Sequence, residues 1–355
     1  MDAIRTEILN ARNAEELAHA APRAAALLRA GGLVAFPTET VYGLGANATD
    51  PSAVARIFAA KGRPTFDPLI VHIADRSELS RVLSSGALSD PRVNALADAF
   101  WPGPLTIVAP AVAEIPELVR AGLSSVGVRL PDHETARALI RAAGTPIAAP
   151  SANLFGQLSP TSAAHVAEQL SGRIDAIVVA EPSRVGVEST VVALLPGEPA
   201  RLLRPGGVLR ELVERALAPF GPLLGPAATT RSGAALPAPG MTASHYAPRA
   251  RVRILDLAAP DLHDLTRVAL LAPDSATLER LSSAAVGLTV VARAALSEHH
   301  DPVRAASRLF ELLHQLDEAL GVDRDVRDTI LTTPYPEPGL GAAIADRLQR
   351  ASAQR

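Results

Sequence analysis

One lysine stands among the 34 basic residues of this 355-residue chain. It is Lys61, and Gly62, Arg63 and Pro64 follow it. A composition that writes nearly every cation as arginine keeps a lysine where a compact ammonium does what a planar guanidinium cannot, such as placing a point charge on a phosphate. Lys61 and Arg63 flank a glycine that lets the backbone come close. Together they suit a polyphosphate, one as a point charge and the other as a planar fork. The same tetrapeptide also fits the end of a helix, with Gly62 supplying a left-handed turn and the cations facing the helix dipole. No glycine-rich Walker loop precedes it.

Other candidates recur at the ends of apolar runs. Thr38, Glu39 and Thr40 follow LVAFP and precede Tyr42-Gly43-Leu44-Gly45. Hydroxyls on such a turn hold a small polar ligand or bond nearby amides. His72 is the lone polar residue of PLIVHI, and Arg129 ends the run in SVGVRLP. A buried arginine needs a carboxylate or phosphate partner, from the protein or from a ligand. Ser151 and Asn153, with Ser159 further on, lie on a loop before a helix, and such loops bind anions. Ser189, in GVEST, opens another apolar run, and Arg204 stands at a strand end beside Pro205-Gly206-Gly207. Each alone also fits ordinary turn and cap chemistry. Their recurrence at strand ends across one region is where α/β sheets build ligand sites.

The elements that must position these residues alternate. Asn13 with Glu16 signals a helix start, and Pro22 is expected to interrupt or restart that helix. Gly31-Gly32 ends it. Strands are expected at 33–37, 68–73, 105–109, 126–130, 146–149, 175–180, 188–195 and 200–204. TETVYGLG reads as an irregular turn. Asp50-Pro51 and Asp90-Pro91 open helices as cap and first residue; further helices fit 132–143, 162–171 and 208–218. Strands cluster late, which favours a mixed sheet over a strictly parallel one. Six prolines between 219 and 248 break all periodicity and read as a linker, long enough to be a lid. A second α/β unit follows, with strands at 251–257, 267–272, 287–293 and 328–332. Its helix from 303 to 320 buries Val303, Ala306, Leu309, Phe310, Leu313 and Leu316 on one face; a last helix spans 340–350. The domains are therefore 1–218, a linker at 219–248, and 249–355 with a Rossmann-like outline.

Composition narrows the classes. Length favours two domains, and 48% apolar residues fill two cores. A net charge of −3 argues against adhesion to nucleic acid or anionic membrane by bulk charge. The absence of cysteine excludes disulfides, thiolate metal sites and thiol nucleophiles. No run approaches the roughly 18 apolar residues of a membrane span, and no signal-peptide pattern opens the chain. A soluble, cytoplasmic protein is the expectation.

Taken in order, FPTETVYGLG (36–45), KGRP (61–64), PLIVHI (68–73), WPGPLT (101–106), VGVRLP (126–131), PSAN (150–153), GVESTVV (186–192), RPGG (204–207), PGM…HYAP (239–248) and GLGAAIADRL (339–348) resemble the threonylcarbamoyl-adenylate synthase family in its long two-domain form. The resemblance implies a twisted, mixed-sheet YrdC-like domain with a concave cleft and a smaller Rossmann-like α/β domain. It implies a nucleotidyltransferase that condenses L-threonine, bicarbonate or carbon dioxide, and ATP. The products would be threonylcarbamoyl-adenylate and pyrophosphate, feeding threonylcarbamoyladenosine formation beside the anticodon of tRNA. It places Thr40, His72, Arg129, Ala149 and Ser189 around threonine. Around ATP it places Lys61, Arg63, Asp67, Ser125, Ser151, Asn153, Ser159, Arg204 and Tyr246, the last from the linker as a cap on the nucleotide. It makes Lys61 and Arg63 the catalytic cations and implies Mg²⁺ held mainly by the ATP phosphates. Hand-over to a tRNA threonylcarbamoyl-transfer complex, with only weak direct tRNA contact, is implied too. Position 67 departs from the family, where Asn is expected; a carboxylate there should repel phosphates unless it faces Mg²⁺ or an adenine amino group. One rival is an RNA-binding module of the same domain type, against which stands the lack of a basic, aromatic-interleaved run. Another is a carbamoyl-transfer maturation enzyme, which would carry zinc-finger cysteines.

Overall fold

The computed structural model describes residues 4–226, 235–242, 245–321 and 328–353. They form two compact units: Met1–Phe155, Pro160–Arg184 and Glu188–Met241 in the first, and Gly156–Ser159, Val185–Val187 and Thr242–Arg355 in the second. The division at Met241/Thr242 falls inside the proline-rich segment, of which 227–234 and 243–244 lie outside the described residues. Among the described residues, no helix is long and apolar enough to cross a membrane.

The first unit runs β1 (Glu7–Asn10), α1 (Ala14–Arg29), β2 (Val34–Phe36), β3 (Gly43–Asn47), α2 (Pro51–Lys61), β4 (Ile70–His72), α3 (Ser85–Leu88), α4 (Pro91–Phe100), β5 (Leu105–Pro110), α5 (Glu117–Arg120), β6 (Ser125–Arg129), α6 (Glu134–Ala143), β7 (Ile147–Ala148), α7 (Ala163–Leu170), β8 (Ala176–Val179), β9 (Thr190–Ala193), β10 (Arg201–Arg204) and α8 (Arg210–Leu217). The strands form one mixed sheet in the order β1-β8-β2-β3-β7-β4-β6-β5-β9-β10. The caps read from the sequence are present. Asn13 accepts the Glu16 N–H, and Asp50 accepts those of Ser52 and Ala53. Gly62, at φ 62°, closes α2 with its N–H directed back to the helix.

Two expectations fail here, and one strand was not foreseen. Pro22 does not interrupt α1, which passes through it. The buried stripe Ala20, Ala21, Ala24, Ala25 and Leu28 packs on α6 and the sheet and outweighs the lost backbone bond. The second half of TETVYGLG is not irregular: Gly43–Asn47 is a strand between β2 and β7. Its glycines conceal the pattern, yet a Cβ at Gly45 would lie 2.7 Å from the Phe36 ring. And β1 was not anticipated at all, because its side chains alternate around one buried position, Leu9.

Helices α2 and α4 back one face of the central strands through Val54, Ile57, Leu96, Val71, Ile107 and Val128. The face carrying Val108, Val191, Ala193 and Leu203 is covered instead by Leu236, Ala238 and Met241 of the proline-rich segment.

The second unit contains β11 (Arg251–Ile254), β12 (Arg267–Ala272), α9 (Ser275–Ala284), β13 (Thr289–Ala295), α10 (Pro302–Ala319), β14 (Thr329–Thr332) and α11 (Gly341–Ser352). All pairings are parallel, in the order β11-β14-β12-β13. Ala306, Leu309, Phe310, Leu313 and Leu316 of α10 are buried as their spacing predicts; Val303, in its first turn, is 63% exposed instead. Helix α9 had no counterpart in the sequence reading.

Candidate active site

The candidate residues of the first unit gather at strand and helix ends, most of them buried. Parallel pairing of β4 with β6 sets His72 opposite Arg129. Arg129 is 4% exposed: Nη1 donates to Thr40 Oγ1 at 2.9 Å, Nε to the Gly103 carbonyl at 3.3 Å, and Nη2 lies 2.7 Å from Glu39 Oε2 as an ion pair without hydrogen-bond geometry. Thr38 and Thr40 share a 2.8 Å hydroxyl contact, and Thr38 Oγ1 donates to the Val41 carbonyl. The turn after β2 therefore bonds its own backbone and also aims Thr40 at Arg129. His72 lies edge-on to Phe36. Burial, with Arg129 beside it, lowers its pKa to about 3, so the imidazole is neutral. Ala149 is buried, and its N–H is taken by the Ile70 carbonyl.

Lys61, Arg63 and Asp67 form a second group. Lys61 is the last residue of α2, and its Nζ donates to the carbonyl oxygens of Ser151 and Asn153. Burial and then Arg63 hold its pKa well below the ordinary lysine value. The loop is tied there by two more bonds: Ser151 bridges Gly43 of β3, and the Phe155 N–H donates to the Lys61 carbonyl. Arg63 Nε donates to the Asp67 carbonyl at 3.1 Å and Nη2 to the Pro68 carbonyl at 2.7 Å, while Nη2 also pairs with Asp67 Oδ2 at 2.9 Å. Burial raises the Asp67 pKa; Arg63, Lys61 and Arg204 oppose that rise. Asp67 is thus the counter-ion of a cationic cluster. Ser125, half-buried, opens β6 and shares the β6 face of Arg129 by strand alternation.

Arg204 extends the second group, since it too opposes the rise in the Asp67 pKa, and it holds Ser189. Arg204 Nη2 donates to the Ser189 carbonyl at 2.9 Å, and Nη1 to the Pro239 carbonyl at 3.2 Å. Ser189 Oγ lies 2.8 Å from Thr106 Oγ1. Gly206 makes this possible: a Cβ there would fall 2.3 Å from the Glu188 carbonyl oxygen, so only glycine lets the RPGG turn press on the strand that carries Ser189. Asn153 is buried and its Nδ2 donates to the Leu154 carbonyl. Ser159 and Tyr246 belong to the second unit. There Tyr246, at φ 59° and 1% exposed, stacks on Phe310 with ring centroids 5.7 Å apart and lies under the Arg347 guanidinium.

Sequence reading missed Glu39 and Thr106 as site components. The signal for Glu39 was present, because Arg129 at a buried strand end demanded a carboxylate. The i,i+4 spacing of Arg63 and Asp67 was an equally available sign of their pairing.

Residues 26–206 match the family described as Telomere recombination (Sua5, YciO and YrdC), and residues 208–353 match the threonylcarbamoyl-AMP synthase C-terminal domain. The chain is 42% identical over 344 residues to the threonylcarbamoyl-AMP synthase of Pyrococcus abyssi, covering 94% of each. It is 40% identical over 338 residues to that of Bacillus subtilis, covering 94% of this chain and 93% of the relative. A crystal structure of Pyrococcus abyssi Sua5 complexed with L-threonine superposes with a TM-score of 0.80 over 98% of each chain, at 37% identity.

Proposed function

The chain belongs to the threonylcarbamoyl-AMP synthase family, and on that footing we propose how it joins L-threonine, bicarbonate and ATP into threonylcarbamoyl-adenylate and pyrophosphate. The observation that carries the placement is the pair of buried cationic groups in the first unit, one around Arg129 and one around Lys61, Arg63 and Arg204.

Threonine takes the first group. Its carboxylate replaces Glu39 on the Arg129 fork, a bidentate pair, and Thr40, Ser189 and the backbone at Ala149 line the amino-acid seat. Neutral His72 offers one ring nitrogen as donor and the other as acceptor without adding charge. Threonine amine and bicarbonate give a carbamate and water, and the carbamate oxygen attacks the α-phosphorus while pyrophosphate leaves. The second group receives the triphosphate. Lys61, pre-set between two carbonyls and pushed toward its neutral form by burial, regains its charge beside phosphate. Arg63 and Arg204 then face the charge that grows on the leaving pyrophosphate. Ser125, Ser151 and Asn153 complete the nucleotide side; Ser159 and Tyr246 are assigned to it by the family resemblance alone. Catalysis is by positioning and electrostatics.

Among the described residues, no group of three or more His, Asp or Glu gathers to cage a metal. The buried carboxylate of the second group, Asp67, is already paired with Arg63, so Mg²⁺ would arrive with ATP and be held mainly by its phosphates. When bound it supplies further neutralisation of the leaving group. The product passes to a tRNA threonylcarbamoyl-transfer system in the cytoplasm. The cleft arginines are buried, whereas an RNA footprint is an exposed basic surface, so the catalytic reading stands above the RNA-binding one. The experiment is pyrophosphate release from ATP. It should require both threonine and bicarbonate, and hydrolysis independent of threonine would overturn the assignment.

A further inference from the structure

The second unit has its own place for a ligand, independent of the reaction above. Its chain steps from β12 to β13 through α9, then back past β12 to β14 through α10. Right-handed crossovers that step in opposite directions lie on opposite faces of a sheet. Strand β12 feeds α9 and its neighbour β14 feeds α11, which packs with α10, so their loops part, and open α/β sheets bind ligands in such a crevice beyond the carboxyl ends of the strands. A cavity of about 260 Å³ lies there, lined by residues that follow each of the four strands.

Its chemistry is specific. Leu257, Pro273 and Pro336 contribute apolar wall. Two nearby carboxylates are already engaged. Asp274 accepts the N–H and hydroxyl of Thr277 and meets His300 Nε2 at 2.8 Å, and Asp256 accepts the Ala258 N–H of its own turn. Arg280, exposed at the rim, has no ion pair among the described residues and is a cation of the lining open to an incoming anion, beside the Asp256 carboxylate turned to its own loop. Thr333, which lines the cavity and is 4% exposed, has a buried Oγ1 with no hydrogen-bond partner. Buried polar atoms are rarely left so, and an orphan beside a cavity marks where a ligand atom belongs. Because Asp274 already caps α9, an incoming anion is not held by that helix end, and its charge falls to Arg280. The volume lies just below the roughly 300–1,000 Å³ of drug-sized sites, and no glycine-rich turn follows β11 to seat a dinucleotide pyrophosphate.

We propose that this cavity binds a small organic anion, a carboxylate or phosphate monoester on a short apolar body, with its charge on Arg280 and a polar group on Thr333. The test uses the full-length protein and three probes of one shape: phenyl phosphate, benzoate and neutral benzyl alcohol. Each is titrated by isothermal calorimetry or ligand-observed NMR into the wild type, Arg280→Ala and Thr333→Val. At least one anion should bind in about the millimolar range, and Arg280→Ala should weaken it about tenfold, the equivalent of one charge-assisted contact. Thr333→Val, similar in shape, should weaken it about threefold through the lost hydrogen bond, with thermal melts confirming that the variant folds. Preference for phenyl phosphate identifies a phosphate monoester, and preference for benzoate a carboxylate. Threonine-dependent pyrophosphate release should be unchanged in both variants when no probe is present. Failure of both anions to bind overturns the proposal, as does binding that survives Arg280→Ala or benzyl alcohol binding as tightly as the anions.

Discussion

The two buried groups, proposed as an amino-acid end around Arg129 and a nucleotide end around Lys61, carry different charge balances. At the amino-acid end Arg129 faces the carboxylate of Glu39, and His72 is held neutral. At the nucleotide end Lys61, Arg63 and Arg204 surround a single carboxylate, Asp67. The first end is balanced and the second has cations to spare. Those balances match the ligands assigned to them, because threonine is a zwitterion with no net charge and ATP is a polyanion. Each acidic side chain is paired with an arginine of its group. Burying an arginine without such a partner is costly, and Glu39 and Asp67 supply one to Arg129 and Arg63.

This comparison breaks first at Arg129. Lysine cannot form the fork that holds a carboxylate in two bonds. Arg129→Lys should cut kcat/KM for threonine by about a hundredfold or more, roughly 3 kcal/mol, and leave the KM for ATP within about twofold. Steady-state pyrophosphate release with each substrate varied in turn is the measurement. Equal damage to both constants would mean that the two ends are one site. At the other end, Arg63→Ala should act on ATP by about thirtyfold to a hundredfold, 2–3 kcal/mol, and also leave Asp67 buried without its pair. The double variant with Asp67→Asn should therefore be more stable to denaturant than Arg63→Ala alone. If it is not, Asp67 does not depend on Arg63.

Asp67→Asn alone is the sharper probe, because the carboxylate was expected to repel phosphate and is instead the partner of Arg63. Removing its charge increases the cationic excess. Activity should persist, with KM for ATP equal to or a few-fold below wild type, and stability should fall by about 1–3 kcal/mol as Arg63 loses its counter-ion. A loss of activity beyond about tenfold, roughly 1.4 kcal/mol, would show that the charge is used in the reaction.

What could be read without coordinates was uneven, for physical reasons. Caps at Asn13, Asp50 and Gly62 are local chemistry and were legible. So were the apolar runs that became β4, β5 and β6. Strand β3 was hidden because its fit depends on Gly45 lying against Phe36, a non-local contact that no window reveals. Lys61 was visible as the one lysine, but its bonds to the carbonyls of Ser151 and Asn153 join positions some ninety residues apart. Glu39 was passed over because it was read as part of a turn, although Arg129 was known to lack a partner. A rule follows for such chains: an unpaired buried arginine and an unassigned buried acid should be tried against each other before either is given to a ligand.

The smallest effect expected tests whether the amino-acid end is neutral by design. His72 has a pKa of about 3 in the folded protein, against about 6.5 when unfolded. Between those values the unfolded chain binds the extra proton, so this histidine leaves stability untouched above about pH 6.5 and erodes it as pH falls toward 3. The slope from one such group cannot exceed about 1.4 kcal/mol per pH unit. Denaturant unfolding between about pH 6 and pH 4 should therefore show a shallower loss in His72→Gln than in wild type. Over the range from about pH 6 to pH 8 the KM for threonine should show no inflection that His72→Gln removes, since the imidazole is already neutral there. An inflection lost in that variant would mean that His72 carries charge beside Arg129. The amino-acid end would then hold an excess of cations like the nucleotide end, and the matching of charge to ligand would fail where it is most finely balanced.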